Sequence, residues 1–255
     1  MRHYSNTYVF LFMFGVCVVC SMMISIAAVG LRERQQLNRQ LDQQSSVLRA
    51  AHLIEPDAAV TEALIQEKFA NIEAHVIEIP EGEETEVDPE EHSLKAAEMK
   101  PAPPGNPAGI AEMPARAEVF YVMKDGNVDT LILPVFGKGL WSTMYGYLAL
   151  EEDTRTIVGI TFYAHGETPG LGGEIENYKW QLTWVGRKAF DEDWEPQIEL
   201  VKGGVGDPED DPYHVDALSG ATLTSRGVTN MLKFWLGEDG YGPYLEQFRK
   251  EHQSA

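Results

Sequence analysis

The chain has 255 residues, 44% of them hydrophobic, which is enough for one sizeable domain with additional segments. Its formal net charge of −20 disfavours binding to nucleic acid or to anionic membrane surfaces through charge. The only two cysteines, Cys17 and Cys20, lie in an apolar N-terminal run. The rest of the chain therefore has no disulfide framework and no cysteine-ligated iron–sulfur cluster.

The first predicted element is an apolar helix. Residues 8–29 carry no charge and are rich in Phe, Val, Met and Ile. At about 1.5 Å per residue, such a helix spans a hydrocarbon core of about 30 Å. A cleaved signal peptide is the alternative, but its apolar region is usually about 7–15 residues long. We therefore expect an N-terminal tail (1–7) and a retained single transmembrane anchor (8–30).

The charges that flank this span give a first indication of its orientation. Arg2 precedes the span, whereas Arg32, Arg34 and Arg39 follow it. Because Lys and Arg are enriched on the cytoplasmic side, the count places the C-terminal side in the cytoplasm. The difference is small, and Glu33 lies within the basic cluster.

A juxtamembrane helical segment is predicted at residues 31–76. Leu37, Leu41 and Leu48 fall on one helix face in a Gln- and Arg-rich background. A second helix is predicted at 60–74.

An acidic, proline-rich linker is predicted at residues 77–116. Residues 78–91 contain eight acidic residues and no basic one, and such a run is usually solvated. The proline-rich stretch at 100–107 has few apolar residues and favours an extended chain.

The folded domain is predicted at residues 117–248, followed by a C-terminal tail (249–255). Strand-like apolar segments separated by turn residues indicate two β-hairpins, and Asp125-Gly126 lies in the first turn. Strand pairs interspersed with helices predict an α+β fold with a largely antiparallel sheet and flanking helices. The predicted strands are 119–123, 128–136, 144–150, 156–163 and 198–201, and the predicted helices are 174–184 and 227–236.

Two glycine-containing loops, 137–142 and 165–172, are candidates for binding a flat, phosphorylated cofactor. Neither is a Walker loop or a dinucleotide fingerprint. Glycine lets the backbone approach a ligand closely, and Trp141 or Tyr145 offers an aromatic ring beside it. His165 either tunes a bound ring or only caps its loop.

The most distinctive motif is Asp-Ala-Leu-Ser-Gly-Ala-Thr-Leu-Thr-Ser at residues 216–225, just before the amphipathic stretch 228–236. Small residues and hydroxyls at a helix start favour a phosphate group there. A capped helix without a ligand is the alternative. A hydrolase using Ser219 or Ser225 is formally possible, but no Gly-x-Ser-x-Gly elbow supports it. No metal-ligand spacing such as His-Glu-x-x-His occurs.

Residues 216–222 resemble the flavinylation motif of FMN-binding domains. The wider set of motifs resembles the NqrC family, the FMN-binding subunits of bacterial sodium-translocating NADH:quinone reductases, over about residues 119–248 and the N-terminal span. The G subunit of Rnf electron-transport complexes shares the flavinylation motif but matches the Gly-Leu-Trp-Ser and Phe-Trp-Leu-Gly stretches less well. The segments that carry the resemblance are 137–142, 165–172, 184–190, 216–222, 234–237 and 240–244.

The resemblance implies that Thr222 carries FMN through a phosphoester bond to its hydroxyl. A separate FAD-dependent, magnesium-requiring flavin transferase makes this bond and recognises a motif that includes Asp216. Thr224 is the alternative attachment residue. We expect the following residues to bind the cofactor with Thr222 and Asp216: Ser219, Gly220, Ala221, Thr224, Glu167, Thr168, Leu171, Gly172, Gly139, Leu140 and Trp141.

The resemblance also implies a subunit of a bacterial inner-membrane complex whose folded domain lies in the periplasm, and we favour this over the charge count. Such a subunit relays single electrons from an intramembrane iron–sulfur centre to a second covalent FMN on a partner membrane subunit. NADH oxidation, ubiquinone reduction and sodium transport take place on other subunits, so neither a catalytic side chain nor a metal site is expected here. An anchored extracytoplasmic binding or assembly domain without redox activity is the alternative.

Overall fold

The computed structural model of the protein describes residues 5–55, 60–85, 87 and 98–252. The chain divides into two compact units, Met1–Gln43 and Gln44–Ala255. In chain order the strands are β1 (Ile72–Glu78), β2 (Met99–Pro101), β3 (Glu112–Pro114), β4 (Arg116–Lys124), β5 (Asn127–Lys138), β6 (Thr143–Glu151), β7 (Ile157–Ala164), β8 (Glu199–Val201) and β9 (His214–Asp216). The α-helices are α1 (Asn6–Ala50), α2 (Glu62–Phe69), α3 (Tyr178–Gln181), α4 (Thr222–Leu236) and α5 (Gly242–His252).

The first unit consists of the N-terminal part of α1. Asn6–Arg32 is one helix that is long and apolar enough to cross a membrane. The predicted span at 8–30 lies inside it. Cys17 and Cys20 are exposed free thiols on this helix.

The second unit is built on a five-stranded antiparallel sheet with the order β1-β4-β5-β6-β7. The turn between β4 and β5 contains Asp125 at φ 53° and Gly126 at φ 85°. Positive φ at both central residues is what a tight type I′ hairpin requires, because its twist matches that of the strands. Both predicted hairpins are present, and the α+β fold with a largely antiparallel sheet is confirmed.

The prediction of a linker at 77–116 is wrong in its described part. Strand β1 pairs with β4 along its whole length, from Ile72 opposite Val122 to Glu78 opposite Arg116. The pair β2–β3 follows, and Met113 within it is buried. The acidic composition concealed the end of a strand in which Val76 and Ile77 are both buried beside Glu78.

The second predicted helix, at 60–74, is also shorter than expected. Helix α2 begins after Thr61, whose hydroxyl oxygen accepts a hydrogen bond from the Leu64 N–H at 3.3 Å. It ends at Phe69, and β1 begins three residues later. The end of the predicted segment at residue 76 therefore lies inside the sheet.

One face of the sheet is covered by α4, which lies along β5. A Cβ on Gly227 would stand 2.4 Å from the carbonyl oxygen of Lys138, so the two backbones touch. Towards the other end of the helix, the Trp235 indole N–H donates to the Phe136 carbonyl oxygen at 2.7 Å. These contacts place the first turn of α4 beside the loop that follows β5.

The opposite face is covered by the last turns of α1. Val47 and Ala50 pack with Phe120 and Ile132 in a second apolar cluster. A Cβ on Gly159 would stand 2.5 Å from the Ala50 carbonyl oxygen, so helix and strand are in backbone contact here. The folded unit therefore includes residue 44 onwards, earlier than the predicted start at 117.

Three further boundaries differ from the prediction. Helix α4 begins at Thr222, five residues before the predicted start at 227. The predicted helix at 174–184 is broken into three short pieces, Gly172–Glu176, α3 and Leu182–Trp184. Residues 249–252, predicted as tail, form the last turn of α5, and residues 253–255 lie outside the described part.

Leu48 provides a test of the early start of the folded unit. Its side chain is fully buried, whereas Leu37, predicted on the same helix face, is 47% exposed. We expect Leu48→Ala to lower the free energy of unfolding by about 2–5 kcal/mol, because it removes buried methyl groups and leaves a cavity. Leu37→Ala is the matched control and should change it by less than about 0.5 kcal/mol. Denaturant unfolding of the full chain in detergent measures both, and equal effects would contradict this boundary.

Candidate functional site

The start of α4 is stabilised by a glycine turn and by hydrogen bonds within the 216–225 motif. Gly220 has φ +73°, which lets the backbone turn into the helix. The Ser225 hydroxyl donates to the Ala221 carbonyl oxygen and accepts from the Leu218 N–H, both at 3.0 Å. No side chain caps the helix at Ala221. The orphan N–H groups of the first turn are thus left for another acceptor, and an anion suits them best.

The two threonines of the first turn have opposite environments. Thr222, the first residue of α4, is exposed. Thr224 is only 1% exposed, and its hydroxyl donates to Glu167 Oε2 at 2.5 Å. A reagent that approaches from solvent therefore meets the Thr222 hydroxyl and not that of Thr224.

Glu167 is the centre of a buried hydrogen-bond cluster. Besides the Thr224 hydroxyl, its carboxylate accepts the consecutive N–H groups of Leu140 at 3.2 Å, Trp141 at 2.9 Å and Ser142 at 3.3 Å. Successive N–H groups that converge on one point form an anion-binding nest. Here the anion is supplied by the protein itself, and the carboxylate joins the 139–142 loop to α4.

The loop 165–172 is folded so that Glu167 reaches this position. The Glu167 N–H donates to His165 Nδ1 at 3.1 Å. The Thr168 carbonyl oxygen accepts from the N–H groups of Leu171 at 3.1 Å and Gly173 at 2.9 Å, which closes a tight turn. His165 therefore caps its loop, which is one of the two roles that the sequence left open.

Two of the predicted glycines are required by the carboxylate. A Cβ on Gly139 would stand 2.5 Å from Glu167 Oε1. A Cβ on Gly172 would stand 2.5 Å from Thr224 Oγ1 and 2.9 Å from Glu167 Oε2. A Cβ at either position would displace the carboxylate or the Thr224 hydroxyl, so both glycines leave space for the hydrogen-bonded carboxylate.

The hydrogen bonds keep Glu167 ionised. Burial raises the pKa of this carboxyl group, but the hydrogen bonds from Thr224 and from the N–H groups of Trp141, Leu140 and Ser142 outweigh it and hold the pKa below its ordinary value of 4.5. Donors stabilise the charged form of a carboxylate, and they outweigh burial when several converge. A fixed negative charge therefore lies beneath the site at neutral pH.

Apolar side chains are exposed around the start of α4. Trp141 is 70% exposed, Leu140 46%, Leu171 44% and Leu223 52%. Leu171 lies over Gly220, since its Cδ2 would be 3.1 Å from a Cβ at that position. Exposed apolar side chains grouped beside a hydroxyl and free N–H groups fit a ligand with a flat ring and a phosphate, such as FMN.

Asp216 and Ser219 stand apart from the Glu167 cluster. Asp216 ends β9, and its Oδ1 accepts from the Val205 N–H at 3.1 Å. Its carbonyl oxygen accepts from the Trp180 indole N–H at 2.9 Å. Ser219 is exposed, one residue before the turn at Gly220. Asp216 thus orders the chain that leads into the helix.

The sequence did not reveal how the hydroxyls or Glu167 are used. Thr224 was expected to bind the cofactor and the hydroxyls of the 216–225 motif to favour a phosphate, but the structure directs the Thr224 and Ser225 hydroxyls to acceptors inside the protein. The loop 137–142 was a candidate, but no individual role was predicted for Ser142, whose hydroxyl accepts the Gly166 N–H at 2.6 Å and whose N–H donates to Glu167. Among the described residues, no group of three or more His, Cys, Asp or Glu side chains is arranged to hold a metal ion.

The lowered pKa of Glu167 gives a pH-dependent stability with a definite sign. A carboxyl group whose folded pKa is depressed contributes stability above its unfolded pKa and loses it as the pH falls through the folded pKa. We expect Glu167→Gln to cost about 1–3 kcal/mol of unfolding free energy at neutral pH. This difference from the wild type should shrink as the pH is lowered below the ordinary value of 4.5. Denaturant unfolding of the full chain at several pH values measures it, and a difference that does not change with pH would contradict the assignment.

Comparison with known proteins gives the site a family. Residues 139–237 match the model of the FMN-binding domain, and this range includes the 139–142 loop, Glu167 and Thr222. The NqrC subunit of the Na(+)-translocating NADH-quinone reductase of Yersinia pestis is 44% identical over 243 residues, which is 92% of this chain and 90% of the relative. The corresponding subunit of Pseudomonas aeruginosa is 44% identical over 256 residues, covering 96% and 97% of the two chains.

Solved structures agree with this similarity. The crystal structure of Shewanella oneidensis NqrC matches with a TM-score of 0.75 and 34% identity, over 84% of this chain and 99% of that one. The structure of the corresponding subunit from Parabacteroides distasonis matches with a TM-score of 0.62 and 28% identity. With 44% identity to two relatives over more than nine-tenths of its length, the chain belongs to the NqrC family of Na(+)-translocating NADH-quinone reductase subunits.

Proposed function

We propose that this chain is the FMN-carrying, membrane-anchored subunit of a Na(+)-translocating NADH-quinone reductase, with FMN bound through a phosphoester to Thr222. The observation that carries the attachment site is the contrast between the two threonines. Thr222 is exposed at the first position of α4, whereas the Thr224 hydroxyl is buried and donates to Glu167.

The residues at the start of α4 suit the phosphate of such a group. A phosphate on Thr222 would lie close to the N–H groups of the first helical turn, where the helix dipole also favours an anion. Gly220, at φ +73°, lets the chain turn so that this helix begins at Thr222. FMN supplies reversible one-electron exchange when it is bound.

The exposed apolar residues suit the ring. Trp141, Leu140, Leu171 and Leu223 offer a surface on which an isoalloxazine can pack. Burying this surface under a flat ring removes it from water and orders the ring relative to the sheet. The chain's part in electron relay is therefore to hold the flavin in place and shape its surroundings.

The attachment itself requires a separate flavin transferase that uses FAD. The Thr222 oxygen attacks the phosphorus of the FMN half of FAD, the pyrophosphate bond breaks, and AMP leaves. The hydroxyl proton passes to the released phosphate or to solvent, so that the product is a phosphate diester. Asp216, which fixes the chain before Gly220 through its bond to the Val205 N–H, belongs to the motif that the transferase recognises.

The apolar part of α1 suits a retained anchor for this domain. Asn6–Arg32 is long enough to cross a bilayer. We propose that the anchor lies in the bacterial inner membrane with the folded domain in the periplasm, where the flavin transferase acts. The other membrane subunits of the reductase are then its partners and supply its electrons and its acceptor.

Intact-mass spectrometry of the protein from its native membrane tests the attachment. We expect a mass increase of FMN less water, located on Thr222 by fragmentation of the peptide that spans 215–226. Thr222→Ala should abolish the covalent flavin, because the attacking oxygen is lost. Thr224→Val is the matched control, since it removes a hydroxyl two residues away and should keep flavin on Thr222.

Three outcomes would overturn the proposal. Flavin on Thr224, or covalent flavin retained in Thr222→Ala, would show that FMN is attached to a residue other than Thr222. An unmodified peptide from a host proven to contain the transferase would reject the covalent relay and favour an anchored binding domain without redox activity.

A further inference from the structure

Glu167 is the most elaborately bound side chain of the site, although it is not the residue to which FMN is attached. It is only 4% exposed. We infer that Glu167 is a positioning residue for the flavin: its carboxylate holds the 140–142 backbone in the shape that receives the ring, and its negative charge lowers the reduction potential of flavin on Thr222. This inference rests on the proposed function.

Direct contact between Glu167 and the flavin is disfavoured by the way both carboxylate oxygens are used. Oε1 accepts from the N–H groups of Trp141 and Ser142, and Oε2 accepts from the Leu140 N–H and the Thr224 hydroxyl. Every partner belongs to a segment next to the proposed ring or phosphate. The carboxylate therefore acts on the flavin through the loop and through its field.

The position of the carboxylate is closed on two sides. Gly139 and Gly172 each leave space that a single Cβ would fill, at 2.5 Å from Oε1 and 2.9 Å from Oε2 respectively. In the described part of the chain, none of the ion pairs includes Glu167. Its charge is therefore met by N–H and O–H dipoles and not by a basic side chain.

An uncompensated carboxylate of this kind has a predictable effect on electron uptake. Reduction adds negative charge to the flavin, and a nearby fixed anion opposes it, most strongly where water is excluded. The exposed Trp141 and Leu140 are the residues whose N–H groups bind the carboxylate. The same bonds thus fix the ring surface and hold the charge close to it.

Redox titration of the full-length protein in detergent tests the effect of the charge. Glu167→Gln keeps the shape of the side chain and removes its charge. We expect the ratio of reduced to oxidised flavin at a fixed potential to rise about tenfold, which is 59 mV for a one-electron step. Glu174→Gln is the matched control, since Glu174 lies in the short helical piece Gly172–Glu176 and accepts from the Asn177 side chain at 2.7 Å instead of from loop amides. It should change the ratio less than about twofold.

Amide hydrogen exchange tests the geometry without flavin. In full-length Thr222→Ala, we expect adding Glu167→Gln to speed exchange at Leu140, Trp141 and Ser142 by about tenfold or more, because their acceptor is weakened. Gly172→Ala keeps the charge but crowds the carboxylate and Thr224. It should also speed loop exchange, while failing to reproduce the rise in potential caused by Glu167→Gln.

The two experiments separate the possible failures. Unchanged loop exchange in Glu167→Gln would overturn the positioning role, and a potential shift no larger than that of Glu174→Gln would overturn the role of the charge. A wild type that lacks flavin on Thr222 would reject the proposed function. Faster exchange in the flavin-free Glu167→Gln protein would still support the loop-holding role in that case.

Discussion

The site depends on a buried carboxylate that must satisfy its hydrogen bonds inside the protein. An ionised carboxyl group removed from water is costly unless donors replace the water. Glu167 finds these donors in three backbone N–H groups and the Thr224 hydroxyl. If one of the three segments moved away, the carboxylate or its donors would be left without hydrogen-bond partners. The 139–142 loop, the loop 165–172 and α4 are therefore ordered together.

This group is positioned by close backbone contacts between α4 and β5. Gly227 lies against the Lys138 carbonyl oxygen at one end of the helix, and Trp235 donates to Phe136 towards the other. Beyond the helix, the Tyr241 hydroxyl donates to the Pro134 carbonyl oxygen at 2.7 Å. The helix is thus held at several points along one strand. The loop after this strand is therefore held at a defined distance from the first turn of α4. The site is rigid because both of its parts are anchored to the sheet.

The parts of the fold that sequence patterns predicted are those with strong local signals. The strands from β4 to β7 are rich in β-branched and aromatic residues, and Asp125-Gly126 is typical of a tight hairpin turn. Strand β1 was missed because its first residues were interpreted as part of a helix at 60–74 and its end as an acidic linker, although Ile72, Ala74 and Val76 alternate with polar residues. The start of α4 was placed too late because Thr, Ser and Gly favour caps over helix interiors, and tertiary contacts override that preference.

The candidate site was predicted in its residues but not in its arrangement. Loops 137–142 and 165–172 were both selected for their glycines, yet nothing local to either loop indicates that one carboxylate joins them. Glutamate is exposed in most proteins, so the burial of Glu167 depends on tertiary structure and is not predicted by its residue type. Its four donors come from two segments more than 20 residues away in each direction along the chain. A contact of that range is not encoded in any short pattern.

The choice between the two threonines also depends on a long-range contact that no short sequence pattern encodes. Thr222 and Thr224 have identical chemistry, and in a helix they project about 200° apart, because successive residues turn by about 100°. If one faces the protein, the other must face solvent. The threonine that faces inward needs an acceptor there, and Glu167 supplies it to Thr224. The buried face of α4 against the sheet sets the phase of the helix, and this phase leaves the Thr222 hydroxyl exposed to solvent.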